Sequence, residues 1–103
     1  LNDGAAFDAV ICQNDVLARG CIEELERNGC RVPQDVAVIG HDNSPDYVSY
    51  AHPLLTSIDD NNEMLGRQAA LCLLDAIAGH PHHGVERVPV KLIQRDSTLR
   101  LDG

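Results

Sequence analysis

The sequence has few aromatic residues and few basic ones. Of its 103 residues, 3% are aromatic and none is tryptophan, so the 44% hydrophobic fraction consists mainly of Val, Ile, Leu and Ala. A chain of this size and composition forms one small domain at most, with an aliphatic core. Eight basic residues stand against 16 acidic ones, giving a formal net charge of -8. Because an acidic surface repels phosphate backbones, this composition speaks against direct binding to nucleic acid.

The four cysteines include no C-x-x-C pair, which speaks against a zinc ribbon or a redox motif. Cys12, Cys21 and Cys72 fall within apolar patterns and are predicted to be small buried side chains in a reducing compartment, the cytoplasm. No apolar run reaches the roughly 18 residues that a membrane span needs. Residues 1–7 lack the pattern of a signal peptide, and the missing initial Met indicates that further sequence precedes Leu1.

Signatures of phosphate binding and of nucleophilic catalysis are also missing. No G-x-G-x-x-G follows a predicted strand, and neither a Walker-type Gly-Lys-Ser/Thr nor a G-x-S-x-G elbow occurs. His80, His82 and His83 invite a metal interpretation, but the segment is irregular and no acid or cysteine lies at ligand spacing. We therefore expect no enzymatic activity, no metal site and no cofactor.

Residues 32–43, VPQDVAVIGHDN, are the most informative stretch of the sequence. Residues 36–39 are a continuous run of β-favouring apolar residues, which is typical of a strand covered on both faces inside a parallel sheet. Gly40 ends the run, and the polar residues 41–43 follow at once. Because ligands of open α/β sheets bind beyond the carboxyl ends of the strands, these side chains are placed to meet a ligand.

Two further segments have the same form. The apolar run at residues 8–12 leads into Gln-Asn-Asp at 13–15, and the run at 55–58 leads into Asp-Asp-Asn-Asn. Because Asp and Asn residues directly follow each of these three predicted strands, we expect them to form one edge of a polar cleft. Carboxylates and amides suit a hydroxyl-rich ligand, since they accept and donate hydrogen bonds. The alternative is that these side chains only cap the next helix or form a turn.

Two longer helices are predicted from periodicity. Residues 15–28 carry one apolar stripe, which comprises Ala18, Cys21, Ile22 and Leu25. The residues predicted to be solvated on this helix are Arg19, Glu23, Glu26 and Arg27. Residues 61–78 are apolar around much of the cylinder, so this helix needs cover on more than one side.

The remaining elements complete an alternating pattern. Ser44 and Pro45 begin a short helix, and Pro53 ends it. Residues 87–95 alternate in part and predict one or two strands, and residues 96–103 are predicted to be a polar tail. The order β-α-β-(short α)-β-α-β-β predicts an α/β fold with a mainly parallel sheet flanked by helices.

The whole pattern resembles the C-terminal part of the effector-binding region of LacI/GalR-family transcriptional regulators. The specific motifs are the strand-end pair Asn14-Asp15 and the pattern V-P-x-D-V-A-V-I-G-x-D at residues 32–42. Further matching residues lie at 18, 20, 53–58, 64–66 and 95–98. The resemblance therefore covers nearly the whole chain, residues 8–98.

The resemblance implies a partial periplasmic-binding-protein-like lobe of type I. Residues 1–103 would be the C-terminal part of an effector-binding domain whose helix-turn-helix and first lobe are absent from this chain. Such a regulator is a dimer that binds a small effector, often a sugar or nucleobase, between its lobes and binds operator DNA through the absent domain. The helix at 61–78 would cross back to the first lobe. Without that lobe, we expect it to be buried against another copy, by association or swapping.

The resemblance also implies particular ligand contacts. Asn14 corresponds to the family's strand-end amide, Asp42 to the acid after the core strand, and Asp60 falls where Gln is common. Asn62 falls where an apolar or aromatic residue often sits. His41 replaces the usual Phe or Tyr and either stacks on a ligand or packs. These departures make the rim more acidic and leave the identity of the effector open.

The family's dimer face involves the first helix and the segment before the third strand. The corresponding residues here are Val16, Leu17, Tyr47 and Tyr50. Val16 and Leu17 lie outside the inward-facing stripe of their helix, which is consistent with a role in binding a partner.

Two other functions fit part of the pattern. A periplasmic solute-binding protein for sugar transport has the same lobe architecture, and a signal peptide upstream would distinguish it. A receiver-like or Mg²⁺-dependent enzyme would use Asp15, Asp42, Asp59 and Asp60, with Lys91 as the one candidate for its lysine. The favoured interpretation is the effector-sensing part of a repressor, in which ligand binding shifts the DNA-binding equilibrium.

Overall fold

A computed structural model describes residues 6–81 and 83–99, so that His82 of the histidine cluster and the chain ends lie outside the described part. The predicted alternation of strands and helices is confirmed there. The elements are β1 (Ala9–Ile11), α1 (Asp15–Arg27), β2 (Ala37–His41), α2 (Pro45–Val48), β3 (Thr56–Asp59), α3 (Asn62–Ile77), β4 (Lys91–Ile93) and a 3-10 turn (Asp96–Thr98).

The four strands form one sheet in the order β1-β2-β3-β4. β1, β2 and β3 are parallel, with Val10 opposite Val38 and Ile39 opposite Thr56, and β4 is antiparallel to β3. The predicted α/β fold with a mainly parallel sheet is therefore confirmed. Parallel pairing brings the carboxyl ends of β1, β2 and β3 to one edge, where the polar segments predicted to form a cleft follow.

The core lies between α1 and one face of the sheet. Its buried members are Ala18, Ile22, Leu25, Val32, Val36, Val38, Val48 and Leu55. Along β2 burial alternates, because Val38 and Gly40 face α1 while Ile39 stays half-buried on the other face. The prediction that β2 is covered on both faces was therefore wrong for the described residues. Helix α1 covers one face of the sheet, but α3 does not pack against the other face.

Helix α3 extends away from the sheet. None of its residues is buried, and Ile77 remains 74% exposed. The Cα radius of gyration is 18.2 Å, whereas a compact chain of this length has about 13 Å. The expectation that this helix needs apolar cover beyond what the chain supplies is consistent with both observations.

Two predictions about polar residues were wrong. Arg19, predicted to be solvated, is 4% exposed because carbonyl groups of the α2 segment accept hydrogen bonds from its guanidinium. The segment from residue 96, predicted to be a polar tail, instead begins with the 3-10 turn, and Ser97 is fully buried between β2 and β3. In both cases a distant main chain supplies the hydrogen-bond partners.

The cysteines are half-buried rather than buried, so the prediction for Cys12, Cys21 and Cys72 holds only in part. Cys12 and Cys21 border the core, as does Cys30. Burial, together with the neighbouring Cys21 thiol, raises the pKa of Cys12 to about 11, so its reactive thiolate is scarce at neutral pH. Among the described residues, no helix has the length and apolar character needed to cross a membrane.

Candidate functional site

Three of the five predicted ligand-binding residues meet at the carboxyl edge of the sheet. The Nε2 atom of His41, the last residue of β2, lies 2.8 Å from Oδ1 of Asp60, which follows β3. Its Nδ1 atom lies 3.3 Å from Oδ1 of Asp42, the next residue along the chain. The ring thus bridges two carboxylates that belong to different connections, and all three side chains remain partly exposed.

The other two predicted residues lie at helix starts. Asn14 is the N-cap of α1, and its side-chain oxygen accepts a hydrogen bond from the Leu17 amide at 2.9 Å. The capping role considered as the alternative is therefore real for Asn14, while its side-chain amide group retains donor capacity. Asn62 is the first residue of α3 and is exposed.

The backbone at this edge is unusual. Asp42, Asn43 and Asn61 have φ values of 105°, 53° and 58°, and they are the non-glycine residues with positive φ in the described chain. Asp and Asn tolerate this region better than other residues, but it remains sparsely populated. The Asp42 amide donates to the carbonyl oxygen of Ile58 at 2.9 Å, which fixes the turn against β3. Backbone strain concentrated at one edge is a feature of ligand sites.

Asp15 is a buried acid whose hydrogen bonds connect the segments that form the carboxyl edge. It is 1% exposed, and both carboxylate oxygens accept hydrogen bonds, one from the Ser57 hydroxyl at 2.6 Å and one from the Ser44 amide at 2.7 Å. The Ser57 hydroxyl in turn accepts from the Asn43 amide at 2.9 Å. One buried acid therefore joins the start of α1, β3 and the turn after β2. The same contacts leave it engaged in structure rather than open to Mg²⁺.

Sequence reasoning did not assign a site role to Arg95. This residue follows β4, and its guanidinium donates to the Leu55 carbonyl oxygen and to Oδ1 of Asn43, both at 2.8 Å. Asn43 then donates from its side chain to Asp59 at 3.1 Å. The sequence shows only that a basic residue follows a predicted strand. It contains no local pattern that would indicate the contacts of Arg95 with the distant residues Leu55 and Asn43.

The carboxylate of Asp59 is held in its charged form. The hydrogen bond from the Asn61 amide lowers the pKa of this group below its ordinary value, and the Asn43 side chain and the charges of Lys91 and Arg95 act in the same direction. With Asp42 and Asp60 nearby, the edge presents several carboxylates around one imidazole. Such a surface accepts hydrogen bonds from hydroxyl groups and repels phosphate.

The predicted dimer residues belong to α1 and to the segment of α2 that follows β2, and these two helices contact each other. Val16, Leu17 and Tyr50 are each more than half exposed, and Tyr47 is half-buried. The Tyr50 ring lies 5.0 Å from the guanidinium carbon of Arg19 and packs edge-on against Tyr47. Arg19 and Tyr47 therefore contact the Tyr50 ring, while the side chains of Val16 and Leu17 remain exposed.

An open groove of about 380 Å³ lies at the other end of the strands and does not coincide with this edge. Its walls include Val32 and Pro33 before β2 and His52 and Pro53 before β3. The side chains of His41, Asp42 and Asp60 at the carboxyl edge are partly exposed and do not line this groove.

The chain is similar to known proteins over nearly its whole length. The sequence matches the family of periplasmic binding protein-like domains over residues 3–98. It is 39% identical over 94 residues to the HTH-type transcriptional repressor CytR of Escherichia coli (strain K12), which covers 90% of this chain and 27% of the repressor.

Solved structures agree with the sequence match. The chain superposes on the transcriptional regulator CelR in its complex with cellobiose with a TM-score of 0.78 and 36% identity, covering 87% of this chain and 28% of that one. The TM-score is 0.88, with 32% identity, for the lac repressor dimer bound to operator and the anti-inducer ONPF, covering 96% of this chain and 30% of that one.

The chain therefore belongs to the family of periplasmic-binding-protein-like domains, in the form carried by LacI-type transcriptional regulators. It spans about a quarter of the length of the curated relatives that it matches, 27% in the case of CytR.

Proposed function

We propose that the chain is the C-terminal part of the effector-binding domain of a bacterial transcriptional repressor. A small polar effector, a sugar or nucleobase-like compound, binds at the carboxyl edge of the sheet, between this lobe and a first lobe outside the chain. The observation that carries the proposal is the cluster of His41, Asp42 and Asp60 beside a strained backbone at the strand ends. The names of the similar proteins, repressors and regulators rather than enzymes, support it.

In this proposal the effector acts by differential binding. A ligand that contacts both lobes stabilises one lobe arrangement over the other, and this difference in affinity shifts DNA binding by a helix-turn-helix domain outside the chain. The acidic chain itself does not contact operator DNA. Such a regulator works in the cytoplasm, where its DNA is, and needs neither cofactor nor membrane partner.

The first test is a ligand screen by thermal shift on the full-length protein. Uncharged sugars and nucleosides should include a compound that raises Tm, whereas phosphorylated sugars should not, because the edge is acidic. Asp42→Ala should abolish the shift, and Asp46→Ala, an exposed acid on α2, should retain it. An unchanged ligand response in Asp42→Ala would remove this carboxylate from the binding site.

The second test links the ligand to DNA. DNA fragments that the full-length protein selects from a pool of random sequences are labelled with a fluorophore. Binding of the protein to these fragments is then followed by fluorescence anisotropy, with and without the stabilising compound. The compound should change the apparent Kd for DNA in the wild type and leave it unchanged in Asp42→Ala. A compound that binds tightly but leaves the DNA affinity unchanged would contradict the allosteric part of the proposal.

The surface formed by Val16, Leu17, Tyr47 and Tyr50 is proposed as the dimer interface. Leu17 is 53% exposed within the chain, so Leu17→Ser should leave the fold intact while weakening association. Sedimentation velocity of the full-length protein would show a shift toward monomer. Val85→Ser replaces an exposed apolar residue outside this surface and should not shift the distribution.

Helix α3 is proposed to be covered by the first lobe in the complete protein. Produced alone, residues 1–103 should bury its apolar surface against another copy, by association or domain swapping. Light scattering at high concentration should then report a dimer or larger species. A persistent monomer would count against this assignment of the α3 surface.

A further inference from the structure

Cys12 lies at the boundary between β1 and α1. It directly follows β1, and its amide donates to the Ile39 carbonyl oxygen at 2.8 Å, which continues the strand pairing by one residue. Because side chains alternate along a strand, Cys12 shares a face with Val10, which is paired with Val38 of the core. That face of the sheet is the one that α1 covers.

Cys21 reaches the same boundary from the helix. It lies three residues after Ala18 and four residues before Leu25, and both of these residues are buried. Positions with this spacing share one face of a helix. Cys12 and Cys21 both pack against the core cluster and are half-buried, and a side-chain hydrogen bond joins their thiols. The two sulfur atoms are therefore neighbours.

The segment between the two cysteines organises part of the carboxyl edge. Asn14 caps α1, and Asp15 accepts hydrogen bonds from the Ser57 hydroxyl and the Ser44 amide. Residues 12–21 thus contain the turn that leaves β1 and the first turns of α1. A covalent bond between the two ends of this segment would fix the turn in place.

We propose that Cys12 and Cys21 form a reversible intramolecular disulfide when the protein meets an oxidant, and that this bond locks the turn from β1 into α1. The oxidant is a small-molecule disulfide of the glutathione type. The pair is then a redox-sensitive site next to Asn14 of the proposed effector site. Formation of the bond does not rest on the proposed function, since it needs neither an effector nor DNA.

The bond forms by thiol–disulfide exchange in two steps. One cysteine thiolate attacks a sulfur of the oxidant, so that a mixed disulfide forms and one oxidant thiolate leaves. The other cysteine loses its proton to solvent and attacks the protein sulfur of the mixed disulfide, which expels the second oxidant thiolate. The two cysteines lose two electrons in total, the oxidant gains them, and the two protons pass through water to the released thiolates.

The first attack falls to Cys21. Burial, and then the neighbouring Cys21 thiol, raise the pKa of Cys12 to about 11. The thiolate of Cys12 is therefore scarce at neutral pH, and only the thiolate is the nucleophile. Cys12 resolves the mixed disulfide because it is held beside Cys21.

The test is peptide mapping of the full-length protein. Reduced protein is incubated with glutathione disulfide at neutral pH, its remaining thiols are blocked with iodoacetamide, and it is denatured and digested with trypsin. Cleavage after Arg19, Arg27 and Arg31 places Cys12, Cys21 and Cys30 in three different peptides. Mass spectrometry should detect the Cys12 peptide linked to the Cys21 peptide, and dithiothreitol should separate them. Oxidised protein should also have a higher Tm, because a crosslink restricts the unfolded chain.

Cys30→Ser is the matched control, since Cys30 is also half-buried and borders the same core. This variant should retain the linked peptides and the rise in Tm. Cys12→Ser and Cys12→Ala should instead accumulate the mixed disulfide of Cys21 with glutathione. Cys21→Ser should form a mixed disulfide at Cys12 roughly tenfold more slowly, because the thiolate of a buried cysteine is scarce. Variants that lack Cys12 or Cys21 should show no rise in Tm, and circular dichroism confirms that each is folded.

Three results would overturn the proposal. They are a disulfide in which Cys30 replaces either partner, a crosslink between two chains, and full alkylation of Cys12 and Cys21 after exposure to excess oxidant. The ligand screen separates this proposal from the proposed function. Linked peptides together with a failed screen would reject the effector site alone, whereas a stabilising ligand together with two unreacted thiols would reject the disulfide alone.

Discussion

A Cβ atom added to Gly40 would collide with Oδ1 of Asp15. Gly40 lies in β2, and Asp15 is the first residue of α1. The helix can approach the strand this closely only because the strand offers main chain where a side chain would stand. This contact lets the buried carboxylate reach Ser57 and the turn after β2, on which the geometry of the candidate site depends.

Gly40→Ala should therefore destabilise the protein. The added methyl also meets Leu55 at 3.1 Å and Ala18 at 3.3 Å, and overpacking of a filled core costs about 1–3 kcal/mol. Thermal denaturation of the full-length protein should show a lower Tm. At Gly20 a Cβ meets nothing within 4 Å, so Gly20→Ala should be neutral or slightly stabilising. Equal effects of the two substitutions would contradict the close contact between Gly40 and Asp15.

Arg19→Lys should destabilise the protein although it keeps the charge. The Arg19 guanidinium donates to the carbonyl oxygens of Tyr47 and Ala51 at 2.7 and 2.9 Å, and one ammonium group cannot reproduce this planar geometry. We expect a loss of about 1–3 kcal/mol, because buried carbonyl groups lose partners. Arg27→Lys changes an exposed ion pair and should alter stability by less than about 0.5 kcal/mol. Urea denaturation compares the two.

Ser97→Ala should also be destabilising. The Ser97 hydroxyl donates to the Val38 carbonyl oxygen at 2.6 Å and accepts from the Thr56 amide at 2.8 Å, joining β2 to β3 where both are buried. Removing it leaves a donor and an acceptor unpaired, at about 1–3 kcal/mol each. Ser49→Ala, at an exposed position after α2, is the control for urea denaturation. A midpoint equal to that of the wild type would show that water replaces the hydroxyl.

Acid should loosen the β3–α3 connection through Asp59. Its pKa is lowered in the folded chain, first by the Asn61 amide and then by Asn43. The stabilisation is fully present above the unfolded value of about 3.9 and is lost as pH falls through the lower folded value. Asp59→Asn should reduce the fall in Tm below about pH 4 relative to the wild type. Asp46→Asn, an exposed acid on α2, should retain the fall. Parallel Tm profiles for wild type and Asp59→Asn would contradict the assignment.

The sequence alone determined the order of the elements and the place of the candidate site. Hydrophobic periodicity is a local property, so α1 and α3 were predicted to within two residues of their observed ends. The parallel arrangement followed from the alternation of strands and helices, and it placed His41, Asp42 and Asp60 at one edge. These residues met in the structure because consecutive parallel strands end on the same side.

The tertiary structure alone decided which polar groups are buried and what they bind. Arg19, Asp15 and Ser97 have partners between 28 and 59 residues away in sequence, and no local pattern encodes such distances. A charged or hydroxyl side chain is predicted to be solvated unless a distant main chain comes within hydrogen-bonding range. Only the packing of α1, α2 and the last turn against the sheet brought those groups together, and desolvation then required each of them to be paired.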